Sequence, residues 1–123
     1  MEGAGGTILI VDDEESIRDI LCRKLQSQGY NCVAAADSNE ALWKAFMQDF
    51  DLVLMDIRMP VMNGLMATKK IRSIDKKIPI VAQTAYAMEE DKNLSIEAGC
   101  NDHLPKPLSR NKLLKIISQH LSD

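Results

Sequence analysis

Five times along this chain a short apolar, β-branched run gives way to a stretch of helical periodicity, and that alternation limits the fold more than any other feature. Thr7-Ile-Leu-Ile-Val11 is apolar or β-branched throughout, as a strand buried on both faces requires. It stops at Asp12-Asp13-Glu14-Glu15, after which Ile17, Ile20, Leu21 and Leu25 fall at helical spacing until Gly29. The second unit predicts a strand over Cys32 to Ala36, a helix cap at Asp37 or Ser38, and a helix face of Ala41, Leu42, Ala45 and Phe46. In the third, Leu52-Val-Leu-Met55 ends at Asp56, and Asn63-Gly64 opens a helix with Met66, Ile71 and Ile74 on its apolar side. The fourth strand covers Ile78 to Ala82 and runs into Gln83-Thr84-Ala85, and its helix, Glu89 to Ala98, has a thin apolar face and ends at Gly99. A short fifth strand, His103-Leu104, precedes Lys106-Pro107, and a last helix capped by Ser109 carries Leu113, Ile116, Ile117 and Leu121.

Regular alternation of this kind implies an α/β fold, a parallel sheet covered by helices on both faces. For five units a doubly wound order of 2-1-3-4-5 sets the carboxyl ends of strands 1 and 3 side by side, at the switch point where ligands bind. With 123 residues the chain is read as one domain, residues 7–123, behind a flexible leader, residues 1–6. That Gly-rich leader is equally a native tail, a linker to a longer parent chain or an artificial extension.

A net charge of −3 argues against direct nucleic-acid binding, which calls for a concentration of Lys and Arg. No signal-peptide pattern occurs and no segment approaches the ~18 apolar residues of a membrane span, so a cytoplasmic location without membrane contact is expected. Cys22, Cys32 and Cys100 lack metal-site spacing and read as reduced thiols, buried or idle. Trp43, Phe46 and Phe50 read as core or groove packing around the second helix, His120 as a solvated helix end, and Lys69-Lys70 and Lys76-Lys77 as solvated charge. Met59, Met62 and Met66 suit an adaptable contact surface near the third loop.

The chemistry lies at the strand ends. Asp12, Asp13 and Asp56 would converge in one crevice, and three carboxylates repel one another unless a cation or a raised pKa relieves them. Mg²⁺, a hard cation that takes one or two carboxylates plus phosphate oxygens, fits that need. Thr84 after strand 4 and Lys106 after strand 5 would face the same crevice with a hydroxyl and an ammonium, both suited to phosphoryl oxygens. Asp56 is then placed as a nucleophile.

Val11-Asp-Asp-Glu14, Leu54-Met-Asp-Ile-Arg-Met-Pro60, Met62-Asn-Gly64, Thr84-Ala-Tyr86 and Lys106-Pro107 together resemble the response-regulator receiver family of two-component and phosphorelay systems, with its flavodoxin-like (βα)5 sandwich. The resemblance runs from Thr7 onward and implies that Asp56 accepts a phosphoryl group. It further implies that Asp13, Asp56 and the backbone carbonyl of Arg58 hold Mg²⁺ (or Mn²⁺), with Asp12 acting through a metal-bound water. By the same resemblance Thr84 and Lys106 engage the phosphoryl oxygens, the Lys106-Pro107 peptide is cis, and the partner is a sensor histidine kinase or a histidine phosphotransfer protein. Such a domain acts as a switch or a relay station, catalysing only transfer to and loss from its own aspartate. Ala82-Gln-Thr-Ala-Tyr-Ala-Met88 resembles receivers attached to hybrid sensor kinases.

Two positions depart from the family's pattern. His103 stands where Tyr or Phe usually serves as the rotating switch residue, and Gln83 replaces a small or apolar residue, which implies a wetter strand end or an extra hydrogen bond. Arg58 and Tyr86, each two residues beyond a site residue, are candidates for a rim that shields the phosphoryl group from water. An FMN-binding carrier of the same fold would want a Ser/Thr/Gly-rich first loop rather than Asp12-Asp-Glu-Glu15, and an aspartyl-phosphate phosphatase would want D-x-D on the first strand. Neither pattern is present.

Overall fold

A computed structural model describes residues 6–57, 64–84, 89–105 and 109–121. Five strands, β1 (Thr7–Val11), β2 (Asn31–Ala35), β3 (Leu52–Asp56), β4 (Ile80–Thr84) and β5 (Asp102–Pro105), alternate with five helices. The helices are α1 (Glu15–Gln26), α2 (Ser38–Met47), α3 (Gly64–Ile74), α4 (Glu89–Ala98) and α5 (Arg110–Leu121). All strand pairs are parallel, in the order β2-β1-β3-β4-β5.

The period-2 geometry of the strands divides one apolar sequence between two cores. Leu9, Val11, Val53, Met55, Ile80 and Ala82 point to one side, where Ala41 of α2 and Ala67 and Ile71 of α3 meet them. Ile8, Ile10, Leu52, Leu54 and Val81 point to the other and pack on Leu21 and Leu25 of α1 and Leu113, Ile116 and Ile117 of α5. Helix α4 lies beside α3. Burial on both faces is why these strands read as unbroken apolar runs rather than as alternating patterns.

Local signals set the helix ends. Asp37, not Ser38, caps α2, its carboxylate accepting the Glu40 N–H at 2.8 Å, and Glu40 in turn accepts the Ala36 N–H at 2.6 Å. Ser109 accepts the Lys112 N–H at 3.1 Å at the start of α5. Gly29 and Gly99 close α1 and α4 at φ 92° and 116°, a left-handed conformation open to glycine.

Several expectations are corrected. Ile20, Met66 and Ile74, read as core-facing, are about half exposed. Of the three aromatics around α2 only Phe50 is buried, whereas Trp43 and Phe46 are 63% and 68% exposed, because Ala41, Leu42 and Ala45 already fill the face of α2 that meets the sheet. Cys22 and Cys32 are not reduced thiols but form a disulfide tying α1 to β2, their Cα atoms 5.6 Å apart. Cys100 is a free, buried thiol whose pKa burial pushes up. His120 is not a solvated end: its Nε2 lies 3.3 Å from Asp102 Oδ2. β2 and β4 begin one residue earlier and two later than the periodicity predicts, and β5 extends to Asp102 and Pro105.

Candidate functional site

Val11 ends β1, and the chain turns at Asp12 and Asp13 before α1 begins at Glu15. Asp12 is fully buried. Its Oδ1 accepts the Glu14 N–H at 2.9 Å, and its backbone carbonyl accepts Arg18 Nη1 at 2.8 Å, so the first turn of α1 is anchored to the loop it leaves. Asp13, next along, is exposed. The neighbouring β3 ends in Asp56, 1% exposed. One oxygen from each of Asp12, Asp13 and Asp56 lies within 4.8 Å of the others, so the sheet order joins carboxylates more than forty residues apart.

The floor beneath Asp56 is backbone. Ile57 N–H donates to the Gln83 carbonyl at 3.3 Å, and Gly64 N–H donates to the Ile57 carbonyl at 3.3 Å, drawing the start of α3 against the end of β3. A Cβ on Gly64 would stand 2.6 Å from Ile57 Cα and 2.9 Å from Asp56 C, inside van der Waals contact with backbone. Only glycine permits this approach. The Met62-Asn-Gly64 motif marks the residue, but nothing in its spacing tells which backbone it must clear.

Thr84 ends β4 and is 1% exposed, its hydroxyl without a hydrogen-bond partner among the described residues. Gln83, in register with Asp56 on β3 and Leu104 on β5, is equally buried, and both ends of its amide lack partners among those residues. A wetter strand end does not fit its 1% exposure. His103 stands opposite Ala82 on β5, half-buried, with Nδ1 enclosed and unpartnered among the described residues. The crevice therefore brings together Asp12, Asp13, Asp56 and the strand end bearing Thr84. Arg58, Tyr86, Lys106 and Pro107, including the expected cis peptide and rim, lie outside the described residues.

An oxygen-only, acidic cluster suits a hard divalent cation, and among the described residues it offers no nitrogen or sulfur ligand for a softer one. An octahedral Mg²⁺ with ligands at ~2.1 Å holds its oxygens ~3–4 Å apart, so the trio accommodates it with small rotations or with one carboxylate bound through water.

The chain matches the response regulator receiver domain family over residues 8–118. It is 41% identical over 118 residues to hybrid signal transduction histidine kinase G of Dictyostelium discoideum, covering 92% of this chain and 3% of that protein. The chain spans less than half the length of the curated relatives it matches. Among solved structures, chemotaxis protein CheY4 of Vibrio cholerae superposes with a TM-score of 0.90 at 37% identity, over 96% of this chain and 100% of that one. The receiver domain of sensor histidine kinase PA1611 of Pseudomonas aeruginosa, which has a magnesium ion coordinated in its active site cleft, gives 0.89 at 36%, over 98% and 100%.

Proposed function

The chain belongs to the response regulator receiver domain family, the phosphoacceptor domains of two-component signalling, and from that premise we propose that Asp56 takes a phosphoryl group from a phosphohistidine donor. The observation that carries the proposal is the convergence of Asp12, Asp13 and Asp56 at the carboxyl ends of β1 and β3. A carboxylate oxygen of Asp56 attacks phosphorus, the donor's P–N bond breaks as the new P–O bond forms, and the departing imidazole nitrogen takes a proton.

Asp13, Asp56 and the Arg58 carbonyl are the residues to hold Mg²⁺ or Mn²⁺, with Asp12 one water removed. The bound cation supplies charge neutralisation for the phosphoryl oxygens. Thr84 and Lys106 donate hydrogen bonds to those oxygens, and the buried hydroxyl of Thr84, without a partner among the described residues, supports its part in this reading. Movement of Thr84 then changes the surface that a histidine kinase or phosphotransfer protein reads. A second reading, an intermediate station passing phosphate on to a histidine phosphotransfer protein, is favoured by the likeness to a hybrid kinase.

The test is labelling with acetyl phosphate and Mg²⁺, followed by intact mass measurement. One phosphoryl group is gained, and EDTA or Asp56→Asn abolishes the gain. Undiminished labelling of Asp56→Asn would place the acceptor elsewhere. Transfer onward to a histidine phosphotransfer domain separates relay from terminal switch.

A further inference from the structure

Away from the carboxylate crevice, the neighbouring helices α2 and α3 expose apolar side chains side by side. On α2, Lys44 reaches the Ala34 carbonyl of the edge strand β2 at 2.6 Å and pairs with Glu40 at 3.0 Å, so that flank points to the sheet edge. At 100° per residue, Phe46 lies opposite Lys44, and Trp43 and Met47, an i, i+4 pair, lie on the outer face between them. On α3, Arg72 donates to the Gly99 carbonyl at 2.9 Å and to Asn101 at 2.6 Å, fixing its flank toward the end of α4. Met66, Lys70 and Ile74 occupy the other flank as an i, i+4, i+8 row. The two helices pack side by side, so these flanks border one groove. Trp43, Phe46, Met47, Met66 and Ile74 are between 46% and 68% exposed, a concentration of apolar surface that marks a contact site more often than chance.

The charge around the groove selects its occupant. Residues 64–77 carry four Lys besides Arg72, which is turned to α4, against one Asp, in a chain whose total is −3. Lys70 stands within the α3 row, and Lys76 and Lys77 are exposed at its base. Asp75, the acidic exception, is engaged by the backbone N–H groups of Lys77 and Ile78. Apolar side chains at helical spacing on two neighbouring helices fit the apolar face of a further helix. The strongly acidic remainder of the chain disfavours a polyphosphate or an anionic membrane, whose charge would extend beyond this strip.

We propose that the α2–α3 groove docks an acidic amphipathic helix of a partner protein, its apolar face against Trp43, Phe46, Met66 and Ile74 and its carboxylates toward Lys70, Lys76 and Lys77. The interaction does not depend on phosphorylation of Asp56 and stands or falls separately from it.

Trp43 is the only tryptophan, so its emission reports directly on the groove. The probe is a synthetic tryptophan-free helical peptide with Leu at i, i+3, i+4 and i+7 and Glu on its flanks, compared with a twin bearing Lys for Glu. The acidic peptide gives a saturable blue shift with affinity ~10-fold above the basic twin, and added salt narrows the gap. Phe46→Ser weakens binding of both peptides, while Lys70→Glu, at an exposed position that leaves the circular dichroism unchanged, weakens the acidic peptide and strengthens the basic one. Equal binding of the two peptides, or no saturable shift, overturns the proposal. So does a stronger response to a single-stranded oligonucleotide or to anionic vesicles. Burial of Trp43 by self-association of the chain alone, seen by sedimentation, assigns the groove to a second copy and overturns it as well.

Discussion

Gly64 shows how much can rest on one missing atom. Its hydrogen bond to the Ile57 carbonyl and its approach to Asp56 and Ile57 leave no space for a methyl group, since the obstructing atoms are backbone rather than the tip of a movable side chain. Gly64→Ala therefore forces β3 and α3 apart just where the Asp56 carboxylate is presented. A loss of about 1–3 kcal/mol in urea unfolding is expected, the usual range for overpacking, together with slower acetyl-phosphate labelling of Asp56. Labelling at the parent rate would show that the strand end adjusts without moving the carboxylate. Gln83 behaves differently, because its side chain fits the space around it yet leaves amide atoms without partners among the described residues. Burial of such groups is costly and restricts what can replace them.

At the scale of elements, α2 owes its start to a reciprocal cap and its lower flank to a charged clasp. Asp37→Ala removes the acceptor for the Glu40 N–H and should lower stability by about 1 kcal/mol, read as a shifted urea midpoint with an unchanged slope. Glu40 is held below its ordinary value of 4.5, first by the hydrogen bond from the Ala36 N–H and then by Lys44. A carboxylate depressed in the folded state contributes stability above its unfolded pKa and loses it as pH falls through the folded value. The stability difference between the parent and Glu40→Gln should accordingly be widest near neutrality and shrink below about pH 4.5. A difference constant from pH 7 to pH 3 would contradict the assignment. On the other sheet face the Cys22–Cys32 disulfide links the middle of α1 to β2, closing a short loop and restricting the unfolded chain.

For the whole molecule, one parallel sheet serves two separate cores, and the same β-branched strands supply both. Leu54, fully buried toward α1 and α5, should cost about 2–5 kcal/mol when cut to alanine, whereas Phe46→Ser on the exposed flank of α2 should change the melting temperature little. Comparable losses in the two variants would mean that Phe46 is covered in the folded protein. Most of this architecture was legible in the residues. Unbroken apolar runs signalled strands buried on both faces, Gly29 and Gly99 marked helix ends, and five alternating units led to the observed strand order and to Asp12, Asp13 and Asp56 at adjacent strand ends. These signals are local, or depend on topology alone. The exposure of Trp43, Phe46, Met66 and Ile74 was not legible, because periodicity tells which residues share a helix side but not where the neighbouring helix leaves a gap. Nor was the pairing of Cys22 with Cys32, since spacing along the chain is silent on how α1 crosses β2. The sequence by itself determined the layers, the strand order and the carboxylates at the strand ends, through patterns repeated within each unit. Tertiary packing alone decided which apolar flanks stay open, which thiols meet and how closely Gly64 approaches Asp56, because each depends on distances between elements remote in the chain.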